Sequence, residues 1–201
     1  MGLSANEVGN LLRDHGETLL RLAADSIRHT LRTGDGLVVE PQRFAPDLAV
    51  PRACFVTLRR HDELRGCVGS SRAWRPLVLD VAGNAAASAF EEPRFPPLTQ
   101  GELSGLSLSV SILTAPEPMA VSSESELLRI LRPGRDGLIL REGDTMALFL
   151  PQVWEMLPSP AAFVTALKEK AGMPLTHWSP AMEAWRFEAV SVESERLFSS
   201  A

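Results

Sequence analysis

The residues best suited to chemistry lie in segment 64–69, which reads Leu-Arg-Gly-Cys-Val-Gly. Glycines at positions 66 and 69 leave the sulfur of Cys67 uncrowded. Arg65 lies two residues earlier, and a nearby guanidinium favours the thiolate, the form that attacks electrophiles and binds metals. The segment therefore predicts a site centred on Cys67 for an anionic ligand, with Arg65, Gly66 and Gly69 around the thiol.

Cys67 could act as a nucleophile, a metal ligand or a redox thiol, or it could be a strand cysteine that packs like a small apolar group. A nucleophile usually needs a base, and neither His61 nor His177 forms a recognisable pattern with it. The histidines and cysteines also lack metal-ligand spacing, so no metal site is predicted. Whether the chain is an enzyme stays open, with a protein-binding module on a structural hairpin as the alternative.

Five further side chains are candidate ligand contacts. Ser70 precedes a helix opened by a proline, where poor N-cap residues leave backbone amides for water or an anion. Asn84 lies in the middle of that helix, where asparagine is unfavourable unless it makes a fixed hydrogen bond. Arg94 lies between prolines, while Gln152 and Trp154 follow a strand end. Each of three residues also has a structural explanation. Asn84 could be an amide that is hydrogen-bonded within the protein, Arg94 could form an ordinary salt bridge, and Trp154 could pack in the core.

Composition indicates a soluble globular protein. The 201 residues are 45% hydrophobic and 22% charged, and no apolar run is long enough to cross a membrane. The first residues do not form a signal peptide, so a cytoplasmic location is expected. The net charge of −5 argues against non-specific nucleic-acid binding. Residues 52–75 nevertheless hold six arginines against two acidic residues, which favours an anionic ligand there unless these arginines are simply solvated.

Two cysteines are too few for a disulfide framework. A two-residue turn at Asp62 and Glu63 would place Leu58 opposite Cys67, and the sulfur of Cys54 could not reach that of Cys67. A longer loop could pair the two cysteines. Because cytosolic disulfides are rare, we expect reduced thiols.

The helices and strands that position these residues are predicted from the spacing of apolar residues and from the residues that begin and end such elements. Ser4 and Glu7 have capping-box spacing, and apolar residues recur at helical intervals until Gly34. Strands are predicted at 53–58, 64–70, 106–112, 138–141, 145–150 and from 185 to about 192, and helices from 76, over 123–131 and over 159–172. This mixed, hairpin-rich order favours an α+β fold with an antiparallel sheet and packed helices.

Several of these segments resemble the AMMECR-domain family, also called AmmeMemoRadiSam system protein A. The similarity runs from about Leu19 to Glu193 and is most specific at residues 64–70. Val68, Ser70 and Glu92 depart mildly from the family pattern, which favours Ile, Thr and Asp there. Supporting motifs are Pro76-Leu77, Asn84-Ala85, Ala89-Phe90, Pro93-Arg94-Phe95, Pro97-Leu98, residues 134–138, residues 150–154 and Lys170-Ala171-Gly172.

The resemblance implies a single domain over residues 1–201 with two lobes, the larger built from both chain ends. It also implies genetic association with Memo-like and radical SAM proteins in prokaryotes, and hence those partner classes. It supplies no activity and no cofactor, because the biochemistry of the family is not established. A radical SAM partner carries its own iron-sulfur cluster, and nothing in this chain indicates one.

Overall fold

The computed structural model describes residues 2–198. In that range it has four α-helices and two antiparallel four-stranded sheets, which confirms the predicted α+β fold. The helices are α1 (Ala5–Thr33), α2 (Leu77–Phe90), α3 (Glu124–Ile130) and α4 (Pro160–Lys170). The strands are β1 (Cys54–Arg60), β2 (Glu63–Gly69), β3 (Leu106–Leu113), β4 (Glu117–Met119), β5 (Gly137–Glu142), β6 (Thr145–Phe149), β7 (Glu183–Phe187) and β8 (Ala189–Ser194).

The chain divides into two compact units. The terminal unit comprises Ser4–Leu113 and the segment from Val190 onward, so it is built from both chain ends. The middle unit comprises Thr114–Ala189. Among the described residues, no helix has both the length and the apolar character needed to cross a lipid bilayer.

The terminal unit is a sheet in the order β2-β1-β3-β8, with α1 and α2 on one face. The predicted capping box starts α1: Ser4 accepts from the Glu7 amide, and the Glu7 carboxylate accepts from the Ser4 amide. Gly34 ends the helix with a φ of 81°, a left-handed conformation that suits glycine. An apolar stripe of α1, including Leu19 and Ile27, is fully buried.

The two faces of this sheet differ in character. Val56, Leu58 and Val110 are fully buried and face the helices. Successive side chains of a strand alternate between faces, so Thr57 and its pairing partner Cys67 lie on the opposite face, where both are only partly buried. Cys67 therefore projects from the face that α1 and α2 do not cover.

The β1–β2 hairpin corrects the predicted turn. His61 and Asp62 form the turn, with φ values of 52° and 65° that match the twist of a tight hairpin. The turn pairs Arg60 with Glu63, and together with the register shift that follows it places Thr57, rather than Leu58, opposite Cys67. A register shift leaves Arg65 unpaired as a β-bulge, because its neighbours on β2 pair with consecutive residues of β1. Both cysteines are free.

The middle unit is a sheet in the order β4-β7-β5-β6 packed with α3 and α4. The single strand predicted from residue 185 to about 192 is wrong, because β7 and β8 belong to different sheets and are separated by Glu188. The Glu188 carboxylate accepts from Arg132 and Arg135, and its amide donates to the hydroxyl of Thr114. These polar contacts interrupt the strand where the apolar pattern alone predicts continuity.

Candidate functional site

Cys67 lies on β2, the edge strand of its sheet. Its side chain is partly exposed, and the Thr57 hydroxyl donates to its sulfur at 3.4 Å. Its backbone N–H donates to Glu92 Oε2 at 3.2 Å, so a carboxylate provides the acceptor for this amide at the edge of the sheet. The thiol is thus accessible and has a hydrogen-bond donor beside it.

Glu92 also binds Arg94. Arg94 Nε donates to Glu92 Oε1 at 3.0 Å and Nη2 donates to Oε2 at 2.8 Å, a bidentate pair. Glu92 is 6% exposed, whereas the Arg94 side chain is 57% exposed. Hydrogen bonds from Arg94 lower the pKa of Glu92 to about 2. The Glu92 carboxylate raises the pKa of Arg94, and the nearby Cys67 thiol contributes in the same direction.

Arg65 makes a second ion pair in the same region. Its Nε donates to Glu102 Oε1 at 2.7 Å, and its Nη2 donates to the Pro96 carbonyl at 2.9 Å. The guanidinium is largely buried and lowers the pKa of Glu102 to about 2. The recorded hydrogen bonds of Arg65 thus fasten the loop after α2 to β2, and Arg94 is the arginine that shares a carboxylate with Cys67.

The two glycines beside Cys67 are explained by packing. A Cβ on Gly66 would lie 2.0 Å from the Ser88 carbonyl oxygen, so α2 can approach β2 only if residue 66 has no side chain. A Cβ on Gly69 would lie 2.2 Å from the Phe55 ring. Both glycines are therefore required by close contacts within the protein itself.

Ser70 and Asn84 meet at a buried carboxylate, Asp80. Asp80 accepts from Ser70 Oγ at 2.7 Å, Arg75 Nε at 2.7 Å and Asn84 Nδ2 at 3.1 Å, and also from the amide and sulfhydryl of Cys54. Burial, followed by the charge of Asp80, raises the pKa of the Cys54 thiol well above its ordinary value. The fixed hydrogen bond predicted for Asn84 is present, and its partners are protein groups.

The start of α2 makes one further contact that the sequence does not predict. Pro76 forms no side-chain cap, as expected. The first helical amide, that of Leu77, donates to the Val50 carbonyl at 3.1 Å. That amide is therefore satisfied by the protein.

Gln152 and Trp154 belong to the middle unit, whereas Cys67 belongs to the terminal unit. The Trp154 ring is buried and stacks on Phe163 with centroids 3.8 Å apart, while its Nε1 donates to the Asp136 carbonyl at 2.7 Å. Trp154 therefore anchors a core. Gln152 is exposed and lines an open surface cavity of about 440 Å³ within the same unit.

Within residues 2–198, no three or more histidine, cysteine and acidic side chains are grouped to hold a metal ion. His177 Nε2 lies 2.6 Å from Glu142 Oε2, and the His61 ring lies against Gly105. Neither histidine makes a recorded hydrogen bond with Cys67.

Sequence reasoning missed three acidic residues that organise this region: Asp80, Glu92 and Glu102. Each had a usable signal. Asp80 is one helical turn before Asn84, so both lie on one face of α2. Glu102 is three residues after Thr99, the spacing of a capping box that the structure contains. Glu92 is two residues before Arg94, close enough for the pair observed.

Comparison with other proteins identifies the family. The AMMECR1 family model matches residues 20–192. A protein of Methanopyrus kandleri is 36% identical over 194 residues, covering 92% of this chain and 91% of that protein. A protein of Thermococcus gammatolerans is 37% identical over 191 residues, covering 90% of each.

A solved structure agrees with these sequence matches. The crystal structure of the uncharacterized protein PH0010 from Pyrococcus horikoshii is similar with a TM-score of 0.81 and 35% identity, covering 90% of this chain and 92% of that one. The family resemblance drawn from segment 64–70 and its supporting motifs is thus confirmed over nearly the whole chain. This chain belongs to the AMMECR1 family.

Proposed function

We propose that Cys67 is the reactive or ligand-holding group of a site for an anionic small molecule. The observation that carries the proposal is the arrangement around Glu92, which accepts from the backbone of Cys67 and from the exposed Arg94. The sulfur itself accepts from Thr57. A partly exposed thiol beside a guanidinium is the setting in which cysteines react.

The chemistry needs few groups. A Cys67 thiolate would attack an electrophilic carbon, forming a carbon–sulfur bond as a leaving group departs with the bond electrons. The Thr57 hydroxyl stabilises negative charge on the sulfur, and Arg94 attracts the anionic part of the ligand. Arg65, Gly66 and Gly69 would act indirectly, by holding β2 and the loop after α2 in place.

The family resemblance supplies the proposed biological setting. We place the chain in the cytoplasm as a component of a system with Memo-like and radical SAM proteins. Ser70, Asn84, Gln152 and Trp154 remain proposed ligand contacts, although the described contacts of Ser70, Asn84 and Trp154 are with protein groups.

A second candidate is a non-catalytic module that binds a partner protein. The packing of Gly66 against α2 and of Arg65 against Glu102 favours it, because both give segment 64–69 a structural role. In this case Cys67→Ser would fold and bind the partner as the original chain does. Loss of cellular function in a stably folded, partner-binding Cys67→Ser variant would instead favour chemistry.

The direct test is alkylation by iodoacetamide, with each cysteine followed by mass spectrometry of its peptide. Cys54 is the internal control because it is fully buried and its pKa is raised. We expect Cys67 to react at pH 7 faster than a model thiol, and Cys54 to react only when the protein unfolds. A Cys67 that reacts no faster than the model thiol would contradict the proposed thiol site.

Arg94→Ala tests the role of the cation. We expect it to slow alkylation of Cys67 about threefold, because a nearby unit charge in a water-like dielectric changes the energy of the thiolate by less than about 1 kcal/mol. Arg21→Ala is the matched control, since it removes an exposed arginine of the same unit from α1, on the other side of the sheet. Equal rates in the two variants would exclude Arg94 from the site.

A further inference from the structure

We infer that Glu92 is a positioning residue that aims Arg94 and thereby makes the Cys67 site selective for ligands that carry a carboxylate. The inference rests on the proposed function and deepens it. It gives a role to a buried acidic residue that lies outside the site predicted from the sequence.

The Glu92 carboxylate accepts hydrogen bonds from three groups: the Cys67 amide, the Arg94 amide and the Arg94 guanidinium. Oε2 accepts from the Cys67 amide at 3.2 Å and from Arg94 Nη2 at 2.8 Å. Oε1 accepts from Arg94 Nε at 3.0 Å and from the Arg94 amide at 3.4 Å. One carboxylate therefore fixes both the backbone and the guanidinium of Arg94 relative to the backbone that carries the thiol.

The contacts with Glu92 leave one edge of the Arg94 guanidinium available to a ligand. Among residues 2–198, the recorded hydrogen bonds of the Arg94 side chain use Nε and Nη2, and none uses Nη1. More than half of the side chain is exposed to solvent. A planar guanidinium held along one edge presents its other edge in a fixed direction, which suits a carboxylate ligand.

Glu92 itself is firmly held. It lies two residues after the end of α2, is 6% exposed, and has a pKa of about 2, so it is ionised at neutral pH. The Phe95 ring lies 5.7 Å from the guanidinium carbon of Arg94, a further contact that limits movement of the arginine. Arg94 is therefore preorganised rather than a freely moving surface cation.

The Arg65–Glu102 pair provides a natural comparison within the same loop. It is also a bidentate ion pair, with distances of 2.7 and 3.3 Å. Its guanidinium is buried and has a third partner in the Pro96 carbonyl. It holds the loop, but it presents little surface to a ligand.

The experiment compares two alkylating reagents of similar size, iodoacetate and iodoacetamide. The ratio of their rates at Cys67 reports how strongly the site favours a carboxylate. We expect Arg94→Ala to lower this ratio about threefold in the original protein. If Glu92 acts through Arg94, the same substitution should lower the ratio by less than about 1.5-fold in a Glu92→Gln background.

Two further variants test whether the Arg94→Ala effect depends specifically on the carboxylate of Glu92. Glu92→Asp keeps the charge and should preserve most of the Arg94→Ala effect. Glu102→Gln changes the matched ion pair and should leave the full effect in place. Protection of Cys54 from both reagents checks in each variant that the terminal unit is folded, because Cys54 is fully buried.

The outcomes separate the two proposals. A full threefold Arg94 effect in the Glu92→Gln background would overturn the positioning role and leave the thiol site intact. Absence of any Arg94 effect in the original protein would overturn the selectivity for carboxylates. A Cys67 no more reactive than a model thiol would instead remove the proposed function on which the inference rests.

Discussion

The two cysteines occupy neighbouring strands but opposite faces of one sheet. Cys54 on β1 is fully buried beneath α2, where its sulfhydryl donates to Asp80 at 3.2 Å. Cys67 on β2 is partly exposed, and its sulfur accepts from Thr57. Burial and the charge of Asp80 raise the pKa of Cys54 and keep its thiol protonated. The same residue type is thus buried on one face and partly exposed on the other.

Each cysteine also has a carboxylate–arginine pair beside it, and the pair beside Cys67 is the more exposed of the two. Asp80 is fully buried and its partner Arg75 is 26% exposed, whereas Glu92 is nearly buried and its partner Arg94 is 57% exposed. A polar network that consumes its own donors and acceptors stabilises a fold. A network that leaves a cation at the surface can also bind a ligand.

The largest effect should come from Asp80→Ala, which removes the acceptor at the centre of the buried network. The Arg75 guanidinium would lose its buried counter-charge, and Ser70, Cys54 and Asn84 would each lose a hydrogen-bond partner. We expect the free energy of unfolding to fall by about 3 to 5 kcal/mol. Urea unfolding measures this loss.

The same variant tests the contrast between the cysteines. Loosening of the network should make Cys54 reactive towards iodoacetamide under native conditions, while Cys67 changes less. Asp25→Ala on α1 is the control, because its ion pair with Arg28 is exposed. A Cys54 that stays protected in Asp80→Ala would show that apolar packing alone shields it.

Gly66→Ala should be the next most damaging change. Its Cβ would collide with a helix carbonyl, and backbone cannot move aside as a side chain can. We expect a loss of about 2 to 3 kcal/mol in the free energy of unfolding, and a loss of similar size for Gly69→Ala, whose Cβ would lie 2.2 Å from the Phe55 ring and 2.6 Å from the Cys54 carbonyl oxygen. Gly9→Ala on α1, which has open space, should instead be neutral or stabilising.

Thermal unfolding followed by circular dichroism would compare these three variants. If Gly66→Ala is as stable as Gly9→Ala, then α2 does not pack rigidly on β2. In that case glycine at position 66 would need an explanation outside the fold, such as close approach by a ligand.

A structural feature could be predicted from the sequence when the residues that determine it are close together in the chain. The alternation of Leu106, Leu108 and Val110 predicts β3 because one residue in two faces a core. The capping residues Ser4 and Ser159 act on amides three positions away, so they predict the starts of α1 and α4. Local patterns therefore sufficed for most helices and strands.

The candidate site depended on contacts that sequence cannot place. The hairpin register followed from left-handed φ values at His61 and Asp62 together with the bulge at Arg65, and the two features place Cys67 opposite Thr57. Arg65 is close to Cys67 in sequence, yet its partner Glu102 is 37 residues away. Proximity in the sequence did not predict that Arg94, in the loop after α2, shares the Glu92 carboxylate with the Cys67 amide.

Acid should weaken the Arg94–Glu92 and Arg65–Glu102 ion pairs in a defined range of pH. The pKa values of Glu92 and Glu102 are lowered from 4.5 to about 2, so these carboxylates contribute stability above about pH 4.5. That contribution is lost as the pH falls towards 2, at up to about 1.4 kcal/mol per pH unit for each carboxylate. Urea unfolding between pH 2 and 5 measures the slope.

Glu92→Gln and Glu102→Gln should each flatten this slope, because each removes one linked proton. Glu126→Gln is a weaker comparison, since hydrogen bonds from Ser122 lower the pKa of that exposed carboxylate. A slope that is unchanged in both single variants would mean that other carboxylates govern the acid sensitivity of the protein.

The smallest effect, and the most specific to Cys67, should come from Thr57→Val. Valine suits a strand, so we expect a change below about 1 kcal/mol in the free energy of unfolding. Loss of the hydroxyl removes the hydrogen bond to the sulfur, and alkylation of Cys67 at pH 7 should slow about two- to threefold. Reaction rates from mass spectrometry would resolve a change of that size.

Ser109→Ala provides the matched control for this last comparison. Ser109 pairs with Thr57 across β1 and β3, and therefore lies on the same sheet face, but it makes no recorded hydrogen bond to Cys67. A similar slowing in both variants would point to a general change of that face. Slowing confined to Thr57→Val would mean that the Thr57 hydroxyl itself stabilises the Cys67 thiolate through its hydrogen bond to the sulfur.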